Sequence, residues 1–96
     1  MGVIMQTKYT NVQLAKQLKC FANDKRLGIV SFLNQQSDQN VGQIADEIRL
    51  SFKSTSRHLR QLEKADIICA RYDGNMRRYS LAHLDIITRF MIQLLK

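Results

Sequence analysis

Asn40-Val41-Gly42-Gln43-Ile44-Ala45-Asp46-Glu47-Ile48-Arg49-Leu50-Ser51-Phe52-Lys53-Ser54-Thr55-Ser56-Arg57-His58-Leu59-Arg60-Gln61-Leu62-Glu63-Lys64-Ala65 is the stretch whose reading decides the fold. Asn40 with Gln43 three positions on has the form of a capping box. Behind it Val41, Ile44, Ala45 and Ile48 fall at i, i+3, i+4 and i+7, the spacing of a helix with one apolar face. Only Arg49 and Leu50 separate this helix from Ser51, itself a good N-cap, and a further helix is expected from about Phe52 to Ala65. Helix, tight turn, helix over residues 41–65 is the helix-turn-helix layout.

The second of these helices has two distinct sides. At about 100° per residue, Thr55, Leu59 and Leu62 line up on one side, fit for a core, and Lys53, Arg57, Arg60 and Lys64 form a narrow stripe opposite. All four are basic, whereas a merely solvated face usually mixes signs because Glu-to-Lys pairs at i, i+4 stabilise it. Glu63, the acid inside the helix, lies off the stripe. Ser54 and Ser56 sit beside it near the helix start, short enough to approach base edges while longer cations flank them, as insertion in a major groove requires. Lys53, Ser54, Ser56 and Arg57 are therefore the expected base-edge readers, and Arg60 and Lys64 the expected phosphate contacts.

Downstream the period changes. Ile67 to Tyr72 suits a strand, Asp73-Gly74-Asn75 is a hairpin turn signal and Met76 to Leu81 suits the returning strand, so residues 67–81 read as a two-stranded wing. It carries Arg71, Arg77 and Arg78 around a tip bearing Asn75, and Asn75, Arg77 and Arg78 are expected to contact flanking DNA and position the protein. A last helix is expected over 82–95, with Leu84, Ile86, Ile87, Phe90, Met91, Leu94 and Leu95 offering more apolar surface than one face can hide in a small chain. Upstream, Val12, Leu14, Ala15, Leu18 and Phe21 place a first helix over Asn11 to Phe21. After a break at Ala22-Asn23, with Asp24 as the expected N-cap, Leu27, Ile29, Val30, Phe32 and Leu33 give a helix apolar around much of its circumference, which belongs in the core. The wholly polar Asn34 to Asn40 reads as a loop.

The chain has 96 residues, 45% of them hydrophobic, with fifteen Lys and Arg against eight Asp and Glu, a net charge of +7. That length fits one domain, residues 1–96, and leaves little room for a deep enclosed active site. Five of the seven excess charges fall between Arg49 and Arg78, where eight basic residues face three acidic ones. A polyanion is the natural partner for such a block, and nucleic acid leads an anionic membrane because no membrane-inserting element is present. The opening residues Met1 to Lys8 lack a signal peptide's apolar segment, and Gln6 stands where a myristoylation motif wants Ser or Thr. With two cysteines and no C-x-x-C pair, a reducing cytoplasmic setting is expected. Catalysis is not: there is no nucleophile-base-acid spacing, no metal triad and no Gly-rich phosphate loop, so neither catalytic residues nor cofactors are assigned.

Leu18-Lys19-Cys20-Phe21-Ala22-Asn23-Asp24-Lys25-Arg26-Leu27, then Val41 to Ala45, Leu50 to Leu62 and the wing through Asp73-Gly74 to Tyr79, resemble the ArsR/SmtB family of winged-helix repressors. The most specific part is the Leu-Ser-x-x-Thr-x-Ser-x-His-Leu-x-x-Leu pattern beginning at Leu50. The resemblance implies a homodimer held by the helices at 11–22 and 82–95, binding a two-fold symmetric double-stranded DNA operator and blocking transcription until a signal releases it. Paired recognition helices then read half-sites about 34 Å apart.

The chain also departs from the family. Asn40 to Ile44 offer no thiolate where many members carry a metal-sensing Cys-x-Cys pair. His83 and Asp85 match the early half of another family metal site, but Leu94, Leu95 and Lys96 supply no late half, so metal sensing is not expected. Asp66 stands where the family's Gly follows the recognition helix, and Asp tolerates a left-handed cap. His58 is expected to be a structural hydrogen-bonding residue and His83 a polar surface residue. Cys20 and Cys69 leave a redox role open: Cys69, in a strand, reads as a small core residue, and Cys20, after Lys19, as a thiol with a lowered pKa if both are exposed. A winged helix docking RNA or protein is the other alternative.

Overall fold

The computed structural model describes residues 9–82 and 85–95. In chain order the elements are α1 (Asn11–Phe21), α2 (Asp24–Gln35), β1 (Gln39–Asn40), α3 (Val41–Ile48), α4 (Phe52–Lys64), β2 (Ile68–Asp73), β3 (Met76–Leu81) and α5 (Ile86–Leu94). The Asn40–Gln43 capping box is formed in both directions, and Ser51 caps α4 by accepting from the Ser54 amide. Between them Arg49 turns the chain in a left-handed conformation at φ 59°, a geometry that costs a side-chain-bearing residue about 1 kcal/mol and is tolerated because the two caps fix both sides of it.

The far end of α4 closes in a Schellman arrangement. Asp66 adopts φ 61°, as expected of the residue replacing the family glycine. Its amide donates to the Glu63 carbonyl, and the Ile67 amide donates to that of Leu62. Leu62 and Ile67, both fully buried, supply the apolar contact that accompanies this cap.

The core gathers around α2. Ile29, Val30 and Leu33 are buried there with Ile44 of α3, Leu59 and Leu62 of α4, Ile67, Ile68 and Tyr79 at the sheet, and Cys20 and Phe21 of α1. Thr55, Leu59 and Leu62 are each no more than 1% exposed, so α4 is anchored by the face its spacing indicated. Burying such side chains contributes about 1.5–3 kcal/mol each, which fixes the orientation of the opposite face.

Four boundaries differ from the sequence expectations. Asn23, not Asp24, caps α2: its backbone is extended and its side chain accepts from the Arg26 amide, leaving Asp24 in the first turn, where a carboxylate favours the helix's positive end. The polar stretch from Asn34 is only partly a loop, since α2 runs to Gln35 and Gln39–Asn40 form β1. The wing accordingly belongs to a three-stranded antiparallel sheet of order β1-β3-β2, with Gln39 opposite Tyr79 and Asn40 opposite Arg78. Two polar residues carry no readable alternation, so their pairing depends on β3 being there. Lastly, α5 begins at Ile86 rather than near Ala82, because Asp85 caps it and the Ala82 amide donates to the Ile67 carbonyl beside the sheet. His83 and Leu84, to which expectations were attached, lie outside the described residues.

The hairpin itself is as read. Asp73 pairs with Met76 across a two-residue turn whose first position, Gly74, has φ 67°, a conformation glycine adopts without strain.

Candidate nucleic-acid interface

Lys53, Arg57, Arg60 and Lys64 are all exposed on α4, and Ser54 and Ser56 are half-buried beside them. None of the four cations takes part in the three ion pairs found among the described residues. Lys64 has a second duty: with Lys19 it lies in the last turn of its helix, where a cation opposes the negative end of the helix dipole. There the ends of α1 and α4 lie side by side, and Lys16, Lys19, Cys20, Arg26, Gln61 and Lys64 line a cleft of about 410 Å³.

The wing holds its charge differently. Arg71 pairs with Asp38, Arg77 with Glu63 at 2.8 Å, and Arg78 with Asp73 at 3.2 Å. Arg78 also donates to the Asp38 carbonyl at 2.9 Å. The Arg77 guanidinium lies 5.8 Å from the Tyr72 ring centre and 5.5 Å from that of Tyr79. Arg77 is thus clasped between two rings and a carboxylate of α4, tying the wing to that helix. Glu63, which the sequence marks only as lying off the basic stripe, is the other half of that tie. Asn75 stands exposed at the tip.

The cysteines exchange their expected environments. Cys20 is the buried one, 6% exposed, its Sγ donating to the Gln61 carbonyl at 3.7 Å. Burial pushes its thiol up, and the nearby Arg26 only partly offsets this; Lys19 does not activate it. Cys69 is exposed, its Sγ 3.6 Å from the Ser80 hydroxyl. The reason is register: Cys69 neighbours the buried Ile68 and therefore points to the other face of β2.

His58 is half-buried on the flank of α4 nearest α2. Burial lowers its pKa, the positive charges of Arg26, Arg57 and Lys25 add to that, and Asp24 opposes them. Asp85 caps α5 and also accepts from the Tyr9 hydroxyl at 2.8 Å and from Gln17 at 3.4 Å. Burial pushes its carboxyl up, but these hydrogen bonds prevail and hold it below its usual value, while Tyr9 is pushed up to about 12, chiefly by burial. Among the described residues no three His, Cys, Asp or Glu side chains gather as a metal site would need, and no helix is long and apolar enough to cross a membrane.

Several large apolar side chains remain exposed. Ile86, Phe90 and Leu94 recur every four residues along α5, and Val12 and Leu18 are exposed on α1. Phe52, the first residue of α4, is 62% exposed, and sequence reasoning assigned it no role. Phe52 falls at i, i+3 and i+7 with Thr55 and Leu59, so its spacing reads as core; the signal of exposure was its place at the very start of the helix, directly after the Ser51 cap.

The family model for bacterial regulatory proteins of the arsR family matches residues 23–69, from the cap of α2 into β2. Among solved structures, the chain is similar to the transcriptional regulator HlyU from Vibrio vulnificus, with 28% identity over 88% of this chain and 84% of that one and a TM-score of 0.73. It is also similar to the transcriptional repressor PagR of Bacillus anthracis, at 27% identity over 88% and 94% with a TM-score of 0.75. A homodimeric winged helix-turn-helix DNA-binding domain from Mycobacterium bovis shares the fold at 24% identity over 95% and 87%, with a TM-score of 0.78.

Proposed function

We propose that the chain, whose residues 23–69 match the family model for bacterial regulatory proteins of the arsR family, is a member of that family and a homodimeric, sequence-specific repressor of transcription, working in the cytoplasm without the family's usual metal-sensing sites. One observation carries the reading: Lys53, Arg57, Arg60 and Lys64 stand exposed and outside any described ion pair, on the face of α4 opposite its buried anchor. Like charges held this close repel one another, and a row of phosphates relieves that repulsion while releasing the counterions of the duplex. A surface for docking protein would more often present apolar or mixed-sign side chains.

In this reading Lys53, Ser54, Ser56 and Arg57 meet base edges, and Arg60 and Lys64 meet phosphates. Asn75 reaches flanking DNA from the wing tip, while Arg77 and Arg78 act mainly by holding the wing in place. Ile86, Phe90 and Leu94 of α5, with Val12 and Leu18 of α1, form the surface that a second copy covers. The two-fold axis so created presents paired α4 helices to half-sites one turn apart, about 34 Å.

The test is selection of bound duplexes from random sequence, followed by affinity titration at several salt concentrations and sedimentation of the free protein. An enriched site with two-fold symmetry, affinity falling steeply with salt, and a dimer at micromolar concentration are expected. A monomer, or binding to single-stranded RNA as tight as to any duplex, overturns the proposal.

A further inference from the structure

We propose that Phe52 reads thymine, its ring packing against the 5-methyl group of one base in each half-site. The inference rests on the DNA-binding reading of α4 given above and adds a determinant that the basic stripe cannot supply.

The other described phenylalanines are accounted for. Phe21 is 3% exposed in the core, Phe32 packs against that core, and Phe90 belongs to the apolar row on α5. Phe52 is 62% exposed at the leading end of the helix that carries the cationic stripe. It is not on a frayed end, since the Ser51 side chain accepts from the Ser54 amide and the Thr55 amide donates to the Ser51 carbonyl at 3.0 Å. Around the helix Phe52 lies about 40° from Ser56 and about 100° from Lys53. In the same projection Phe52 lies about 20° from Leu59, so the ring stands on the border between the buried face and the Ser56 side, and it is exposed because it sits at the leading end of α4, one turn ahead of Thr55, the first buried residue of the helix.

A phenyl ring neither donates nor accepts a hydrogen bond. Placed against the polar edge of guanine, cytosine or adenine it leaves base groups without water or partner, and the apolar group offered by the major groove is the thymine methyl. Covering one methyl changes affinity about fourfold, and about fifteenfold when both half-sites are altered.

The experiment replaces each thymine of the selected duplex by deoxyuridine, which removes the methyl and leaves base pairing intact. Wild type is expected to lose about fourfold at one position in each half-site and about fifteenfold when the pair is replaced together. Phe52→Ala is expected to bind thymine and uracil duplexes equally at that pair, and Phe52→Leu to keep part of the preference. Equal losses in wild type and Phe52→Ala, no loss at any position, or a selected site lacking a symmetric thymine pair each overturn the assignment. Failure to enrich any duplex instead overturns the DNA-binding reading on which it stands.

Discussion

The outer face of α4 and the β2–β3 hairpin are both rich in cations, and they hold that charge in opposite ways. On α4 four cations stand exposed and free of the described ion pairs; in the hairpin all three arginines are engaged, by Asp38, Glu63 and Asp73. Formal charge is therefore a poor guide to available charge. Of the basic residues behind the net +5 between Arg49 and Arg78, those on the outer face of α4 stand outside the described ion pairs, while those of the wing are tied to neighbouring carboxylates. Exposed pairs of this kind are worth only about 0–1 kcal/mol each, but Arg77 adds two aromatic contacts to its pair, and Asp38 reaches Arg71 through its carboxylate and Arg78 through its carbonyl. The wing is held by several weak ties at once.

The difference between the two regions is open to direct attack. The largest effect is expected from Leu62→Ala, which removes a fully buried anchor of α4. Stability is expected to fall by about 2–5 kcal/mol in denaturant titration, and DNA affinity to fall with it as the stripe loses its support. Next is Arg57→Ala, expected to weaken binding to the selected site by about 1–3 kcal/mol and relax preference at one base position. The same substitution at Arg78 is expected to act more weakly and alike on all sequences, because that guanidinium already has acceptors. A loss at Arg78 equal to that at Arg57 would erase the distinction between the regions.

Glu63→Gln tests the tie itself. It removes the acid within α4 and releases Arg77, so affinity for every duplex is expected to rise by about 0.5–1 kcal/mol while stability falls by a similar amount. Unchanged affinity would mean that neither group lies near the bound phosphates.

The smallest effect concerns His58. Its pKa lies below the ordinary 6.5 in the folded protein, mainly through burial, so over that window the unfolded chain binds more protons. Its contribution to stability is complete above 6.5 and declines as the pH falls through the lowered folded value. Melting temperature is expected to drop between about pH 7.5 and about pH 5.5, and to drop less in His58→Gln. An identical decline in the two proteins would assign the effect to other groups.

Much of the half built on α3, α4 and the hairpin was legible because its signals are local. Capping at Asn40 and Ser51, the left-handed Asp66, the buried trio Thr55, Leu59 and Leu62 and the stripe opposite them all follow from residues within a turn or two of one another. Phe52 shares the spacing of Thr55 and Leu59 and yet is exposed, since whether an apolar residue at a helix start is covered depends on what packs beside it.

The sequence by itself determined the helix-turn-helix, the hairpin and the face of α4 turned outward, since spacing and capping act over three or four residues. Only the tertiary structure decided that β1 joins the sheet, that Cys20 is buried and Cys69 exposed, and that the wing arginines are engaged. Asp38 and Arg71 are 33 residues apart in the chain, and Glu63 and Arg77 are 14 apart. Such partners meet only once the core around α2 has brought the sheet against α4, and no local periodicity records that meeting.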